Sequence, residues 1–100
     1  NSANSGCTLR SMATPVVVGT VWLQDMFDPD AEGYLRVSGA EVGGHAYLLI
    51  GYSQARQAFR VVNSWGRSWG QAGRAWLRFA DLGNLLAQQG EAMIGVEARR

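Results

Sequence analysis

The sequence predicts an α+β domain in which an antiparallel sheet, curved into a half-barrel or small barrel, carries short helices at its margins. Three observations lead there. Val16-Val17-Val18-Gly19-Thr20-Val21-Trp22 is a β-branched run whose continuous apolar character predicts a strand buried on both faces. His45 to Tyr52 and Ala58 to Asn63 are two further apolar stretches on either side of the polar loop Ser53 to Gln57, the pattern of a β-hairpin. Arg74-Ala75-Trp76-Leu77-Arg78-Phe79 reads as a half-exposed strand, with Arg outward and Ala/Leu or Trp/Phe inward according to register.

The remaining elements are shorter. Residues 1–14 read as a lead-in segment before a single domain at 15–100, with Ser5 as a possible N-cap. Cys7 to Ala13 is expected to form a helical turn, because Pro15 pushes Thr14 out of the helical region. Leu23 to Phe27 predicts a second helical turn, closed by the turn signal Asp28-Pro29-Asp30. Tyr34 to Val37 is a short strand candidate, followed by Gly39, Gly43 and Gly44 on the way to His45. Asp81 is expected to cap a helix over Leu82 to Gln89, with Leu82, Leu85 and Leu86 at helical spacing and Gly90 as its stop. Ala92 to Val96 reads as a last strand and Arg99-Arg100 as an exposed tail.

Composition narrows the function classes. The 47% hydrophobic and 17% charged residues describe an ordinary globular chain. A net charge of +1 gives no global nucleic-acid or anionic-membrane footprint, and no apolar run approaches the ~18 residues of a membrane span. All nine basic residues are arginine. A single cysteine, Cys7, excludes a disulfide within the chain and weakly favours a reducing compartment. No cluster with metal-ligand spacing and no cofactor motif stands out. A start at Asn1 rather than Met leads us to expect a processed chain or a piece of a longer one.

The chemistry centres on the one histidine, His45, and on Asn63. Strand residues alternate faces with a period of two. A hairpin loop centred near Gln54 or Ala55 pairs positions summing to about 108 or 110, both even, so His45 and Asn63 share a face. Their Cβ atoms would then lie roughly 5 to 8 Å apart, close enough for the carboxamide to orient the imidazole. An oriented base presenting its other nitrogen to a nucleophile is the logic of thiol catalysis. The residue types alone leave two readings open. A lone histidine beside a glycine pair also fits a packing or surface residue, and an asparagine before Ser-Trp-Gly also fits a turn former.

The whole pattern goes further. Gly44-His45-Ala46, the apolar run to Gly51-Tyr52, and Asn63-Ser64-Trp65-Gly66-Arg67-Ser68-Trp69-Gly70-Gln71-Ala72-Gly73 closely resemble the C-terminal half of papain-like cysteine peptidases. Pro15 to Gly19 resembles that family's first barrel strand, and the resemblance covers about residues 10 to 98. It implies His45 as general base, Asn63 as its orienter and Trp65 as the indole covering the bond between them. It implies that Trp69 lines the primed side of the substrate cleft; a core aromatic is the alternative for both Trp65 and Trp69. It also implies a peptide or protein substrate, and as partner an N-terminal half, in the same protein or a second chain, that carries the nucleophilic cysteine and an oxyanion-hole glutamine.

Cys7 departs from that pattern. It precedes His45 by 38 residues, where the family spacing is roughly 130–150, and it lacks the family's surrounding motif. We expect Cys7 to be a small structural residue. Two other readings stand beside a peptidase half: a non-catalytic binding or structural domain that kept the barrel, and a compact site of Cys7, His45 and Asn63.

Overall fold

The computed structural model describes residues 9–89 and 91–93. Its elements are β1 (Arg10–Leu23), a 3-10 helix (Gln24–Phe27), β2 (Glu41–Ser53), β3 (Ala58–Val62), β4 (Arg74–Arg78), α1 (Phe79–Gln89) and β5 (Glu91–Met93). The strands form one antiparallel sheet in the order β4-β3-β2-β1-β5. The α+β class therefore holds. The sheet is open among the described residues.

β1 begins at Arg10, inside the stretch read as lead-in and helical turn. Arg10 and Ser11 pair with Tyr52 and Gly51, and pairing to β2 resumes at Val16 after a register shift. Pro15 falls in that irregularity, where its missing N–H breaks no ladder bond. The steric rule that pushes Thr14 out of the helical region is satisfied by an extended chain, and pairing to β2 overrides the local helical preference. Gly51 has a specific reason at this crossing: a Cβ there would lie 2.6 Å from the Arg10 carbonyl oxygen. Cys7, the rest of the lead-in, the helix stop at Gly90 and the end of the last strand lie outside the described residues.

Tyr34 to Val37 is not a strand. Tyr34 makes one parallel bridge to Trp76, and Trp76 N–H donates to the Gly33 carbonyl at 2.8 Å while its carbonyl accepts from Leu35 N–H at 2.8 Å. The segment thus covers the outer edge of β4, where an exposed strand edge would otherwise invite pairing. α1 starts two residues before Asp81, which lies in its first turn rather than at the cap. The helix start is instead tied by Phe79 N–H to the Gln57 carbonyl at 2.8 Å.

The core lies on one face of the sheet, where Val18 and Trp22 of β1, Tyr47 and Leu49 of β2, Val61 of β3, and Ala75 and Leu77 of β4 meet Met26, Leu35, Leu82 and Leu85. Among the described residues no helix is long and apolar enough to cross a membrane.

Candidate active site

The hairpin sets His45 against Asn63, but by a less direct route than simple parity. Next to the loop, β2 and β3 pair residues whose numbers sum to 111, an odd register that would put His45 and Asn63 on opposite faces. A bulge between Leu49 and Gly51 leaves Ile50 unpaired, and beyond it the sum becomes 110. Continuing that register sets Asn63 opposite Tyr47 and diagonal to His45, on the core face. Asn63 N–H donates to the Gly73 carbonyl at 3.1 Å, which fixes the strand end from the other side.

The result is a 2.7 Å hydrogen bond between His45 Nε2 and Asn63 Oδ1. A carboxamide oxygen only accepts, so Nε2 is the donor in this bond. Asn63 Oδ1 also accepts from Ser64 N–H at 2.9 Å, so the carboxamide is held from two sides. Nδ1 has no partner among the described residues. Asn63 is 6% exposed, and His45 is half-buried.

An aromatic cluster surrounds the imidazole. Trp65 stacks on it with ring centroids 4.8 Å apart and planes 27° from parallel. Phe27 stacks on Trp65 at 5.2 Å. Trp22 meets His45 edge to face at 4.9 Å and contacts Trp65 at 5.3 Å. Tyr47 packs against His45 at 6.1 Å, and its hydroxyl shares a 2.9 Å hydrogen bond with Thr20 Oγ1. Burial pushes the Tyr47 hydroxyl above its ordinary pKa, the bond to Thr20 acting in the opposite direction, so it stays neutral at physiological pH.

Trp65 and Trp69 differ in position. Trp65 is 36% exposed, whereas Trp69 is 8% exposed and belongs to the core cluster. Trp69 Nε1 donates to the Phe27 carbonyl at 3.0 Å, tying the motif loop to the 3-10 helix. It stands behind Trp65, with ring centroids 5.6 Å apart. Gly70 has φ +58°, and a Cβ there would collide with the Arg74 carbonyl oxygen.

Trp22, Tyr47, Thr20 and Phe27 are site neighbours that the sequence reading did not single out. A signal was present for three of them. Thr20 and Trp22 alternate on β1 opposite His45 and Gly43, and Tyr47 is two residues from His45 on the same strand. Phe27 arrives through the fold of the 3-10 helix, which no spacing rule encodes.

His45 borders two concavities. One, of about 450 Å³, is lined by Gly19, Thr20, Val21, Glu41, Gly44 and Ala46 besides the histidine. The other, of about 120 Å³, lies among Trp22, Phe27, Val42, Gly43, Gly44 and Trp65. Among the described residues no three His, Cys, Asp or Glu side chains gather so as to hold a metal ion. Two buried donors, Trp22 Nε1 and Asn63 Nδ2, lack acceptors among the described residues.

The family model for papain family cysteine proteases matches residues 8–93. The chain belongs to the papain family. This papain-family chain is similar to xylellain, a cysteine protease from Xylella fastidiosa, with a TM-score of 0.67 and 24% identity over 82% of the chain and 32% of the other. That likeness supports the fold. The chain is 33% identical over 64 residues to an uncharacterized peptidase C1-like protein of Acanthamoeba polyphaga mimivirus, covering 59% of this chain and 21% of that protein. It is 52% identical over 29 residues to gamete and mating-type specific protein A of Dictyostelium discoideum, covering 29% of this chain and 6% of that protein. The papain-family chain thus spans about a third or less of each of these proteins.

Proposed function

We propose that this chain supplies the general base and its orienter to a cysteine peptidase that hydrolyses peptide or amide bonds, with the nucleophilic thiol contributed from outside this chain. The observation that carries the reading is the His45 Nε2–Asn63 Oδ1 bond stacked beneath Trp65. It leaves Nδ1 with a lone pair and a fixed ring plane, which is what a proton acceptor for a thiol requires.

In the proposed cycle a cysteine thiol passes its proton to His45 Nδ1. The thiolate attacks the substrate carbonyl carbon, and the carbonyl electrons move to oxygen. The intermediate collapses to a thioester as the imidazolium gives its proton to the departing amine. Water then loses a proton to His45, attacks the thioester and regenerates the thiol. Asn63 keeps the ring in one orientation through these transfers, and Trp65 keeps water from competing for the Nε2–H bond.

The test uses the full-length protein and a thiol-dependent peptidase assay, with an alkylating reagent as control. His45→Ala is expected to lower kcat/KM by at least about 100-fold. Unchanged activity would remove His45 from the mechanism. A non-catalytic, papain-like binding or structural domain is the second reading, favoured by a sequence whose one cysteine, Cys7, lacks the family's nucleophile context. Absence of thiol-dependent hydrolysis in the wild-type full-length protein would favour it.

A further inference from the structure

The sheet face opposite His45 carries a concentration of arginines that the proposed chemistry does not use. Arg60 of β3 pairs with Trp76 of β4, and Val62 pairs with Arg74, so Arg60, Arg74, Trp76 and Arg78 share that face. The guanidinium carbon of Arg60 lies 4.6 Å from the Trp76 ring centroid, and that of Arg56 lies 4.8 Å from it. Arg56 donates through Nη1 to the Tyr34 hydroxyl at 2.9 Å, and Arg78 stacks on the Tyr34 ring at 4.3 Å. The order Arg78–Tyr34–Arg56–Trp76–Arg60 is a ladder of cations alternating with aromatic rings.

Charge is unevenly balanced along the ladder. Asp81 approaches Arg78 at 4.0 Å, and Arg78 also favours the ionised form of Asp30, so carboxylates serve the Arg78 end. At the other end, Arg60 donates to the neutral Gln71 Oε1 at 2.9 Å. Neither Arg60 nor Arg74 has a carboxylate partner among the described residues. Arg60 is half-buried, and its guanidinium is held below its ordinary pKa by burial first, then by the like charges of Arg74 and Arg56. Beside Arg74 a groove of about 390 Å³ is lined by Val62, Asn63, Gly66, Arg67, Ala72 and Gly73, and its charged lining is Arg67 and Arg74.

We propose that Arg60, Arg74 and the adjoining groove form a docking site for a carboxylate-rich, extended segment of a partner protein. Stacking on Trp76 occupies the flat face of the Arg60 guanidinium and leaves edge N–H groups for planar, bidentate carboxylates. Arg60 and Arg74 are diagonal neighbours, with Cβ atoms roughly 7–8 Å apart. Alternate side chains of an extended peptide are spaced about 7 Å apart, so acids at positions i and i+2 engage both arginines. The groove beyond Arg74 then receives the continuing backbone, a length of contact that a compact anion would not use.

The test is fluorescence anisotropy on the full-length protein, with labelled hexaglutamate as the probe. Hexaglutamate is expected to bind, with affinity falling as salt rises. Arg60→Gln and Arg74→Gln should each weaken binding by about tenfold, the size of one lost charge-assisted contact. Arg36→Gln, which alters an exposed arginine paired with Asp28, should leave it unchanged. Arg74 is exposed, so its variant should keep the wild-type melting curve and separate docking from folding. The proposal is overturned if hexaglutamate does not bind, or if Arg74→Gln binds it as well as wild type. Low-millimolar inorganic phosphate displacing the peptide, or preference for a single-stranded oligonucleotide of equal charge, would overturn it too.

Discussion

His45 and Asn63 make one functional unit because each fixes what the other leaves loose. The imidazole has two nitrogens, and the 2.7 Å bond to Asn63 Oδ1 assigns the proton to Nε2. Under the proposed function, Asn63→Ala should lower kcat by about 10- to 100-fold, the worth of a hydrogen bond to a group that becomes charged. KM should change little, since Asn63 acts through the base and not on substrate. Trp65→Ala should follow in the same direction and Trp65→Phe less so, because a smaller ring still covers the bond. Steady-state kinetics on the three variants checks the order. Asp30 makes a separate prediction about stability. Its Oδ1 accepts from Tyr34 N–H and Glu32 N–H, both at 2.9 Å, and the bond from Tyr34 leads the influences that hold its carboxyl below the usual 3.8. A depressed folded-state pKa contributes stability above the unfolded value that is lost as pH falls through the folded one. Asp30→Ala should therefore lower Tm at neutral pH, with the gap to wild type closing in strong acid. Melting curves from pH 7 down to about 2 would show it, and a gap independent of pH would contradict it.

At the scale of elements, Gly51 and Ile50 show how β2 meets the constraints on both sides of it. Gly51→Ala places a Cβ 2.6 Å from the Arg10 carbonyl oxygen, backbone that cannot swing aside as a side-chain tip can. The variant should lose about 1–3 kcal/mol by denaturant unfolding, as overpacked sites do. The His45–Asn63 pair lies beyond the bulge, so activity per folded molecule should be retained. The same strand shows what sequence can convey. Apolar period and β-branching reveal β2, β3, β4 and the core of β1, because those signals follow directly from burial. Equal parity for His45 and Asn63 was the correct conclusion, but the loop-centre argument for it was incomplete. The turn gives an odd register, and the bulge at Ile50 corrects it, through packing that no local residue pattern announces. The start of β1 is hidden from local signals for a related reason: pairing of Arg10 and Ser11 with a distant strand outweighs local preference. Tyr34 to Val37 has strand composition, yet it meets β4 through a single bridge. The Trp22 and Phe27 contacts are tertiary in the same sense.

The whole molecule presents its exposed apolar residues unevenly. Val42 is 50% exposed and Phe27 40%, and both share with Trp65 the small concavity against His45. Apolar side chains scattered singly need no explanation, but a contiguous group beside the proposed base marks a surface built to be covered. Under the proposed function, a second half that carries the thiol would lie against this wall. A 100-residue chain produced by itself should then hide the wall by self-association. Sedimentation velocity over a wide concentration series should show a rising weight-average coefficient. Val42→Glu, on an exposed strand position, should reduce the association while leaving the far-ultraviolet circular dichroism unchanged, because its side chain contributes little to the core. The arginine face offers the control: Arg74→Gln should leave the self-association as it is, since that residue lies on the opposite side of the sheet. A chain that stays monomeric throughout the series would mean that the aromatic wall tolerates water, and the case for a docked second half would lose its physical support.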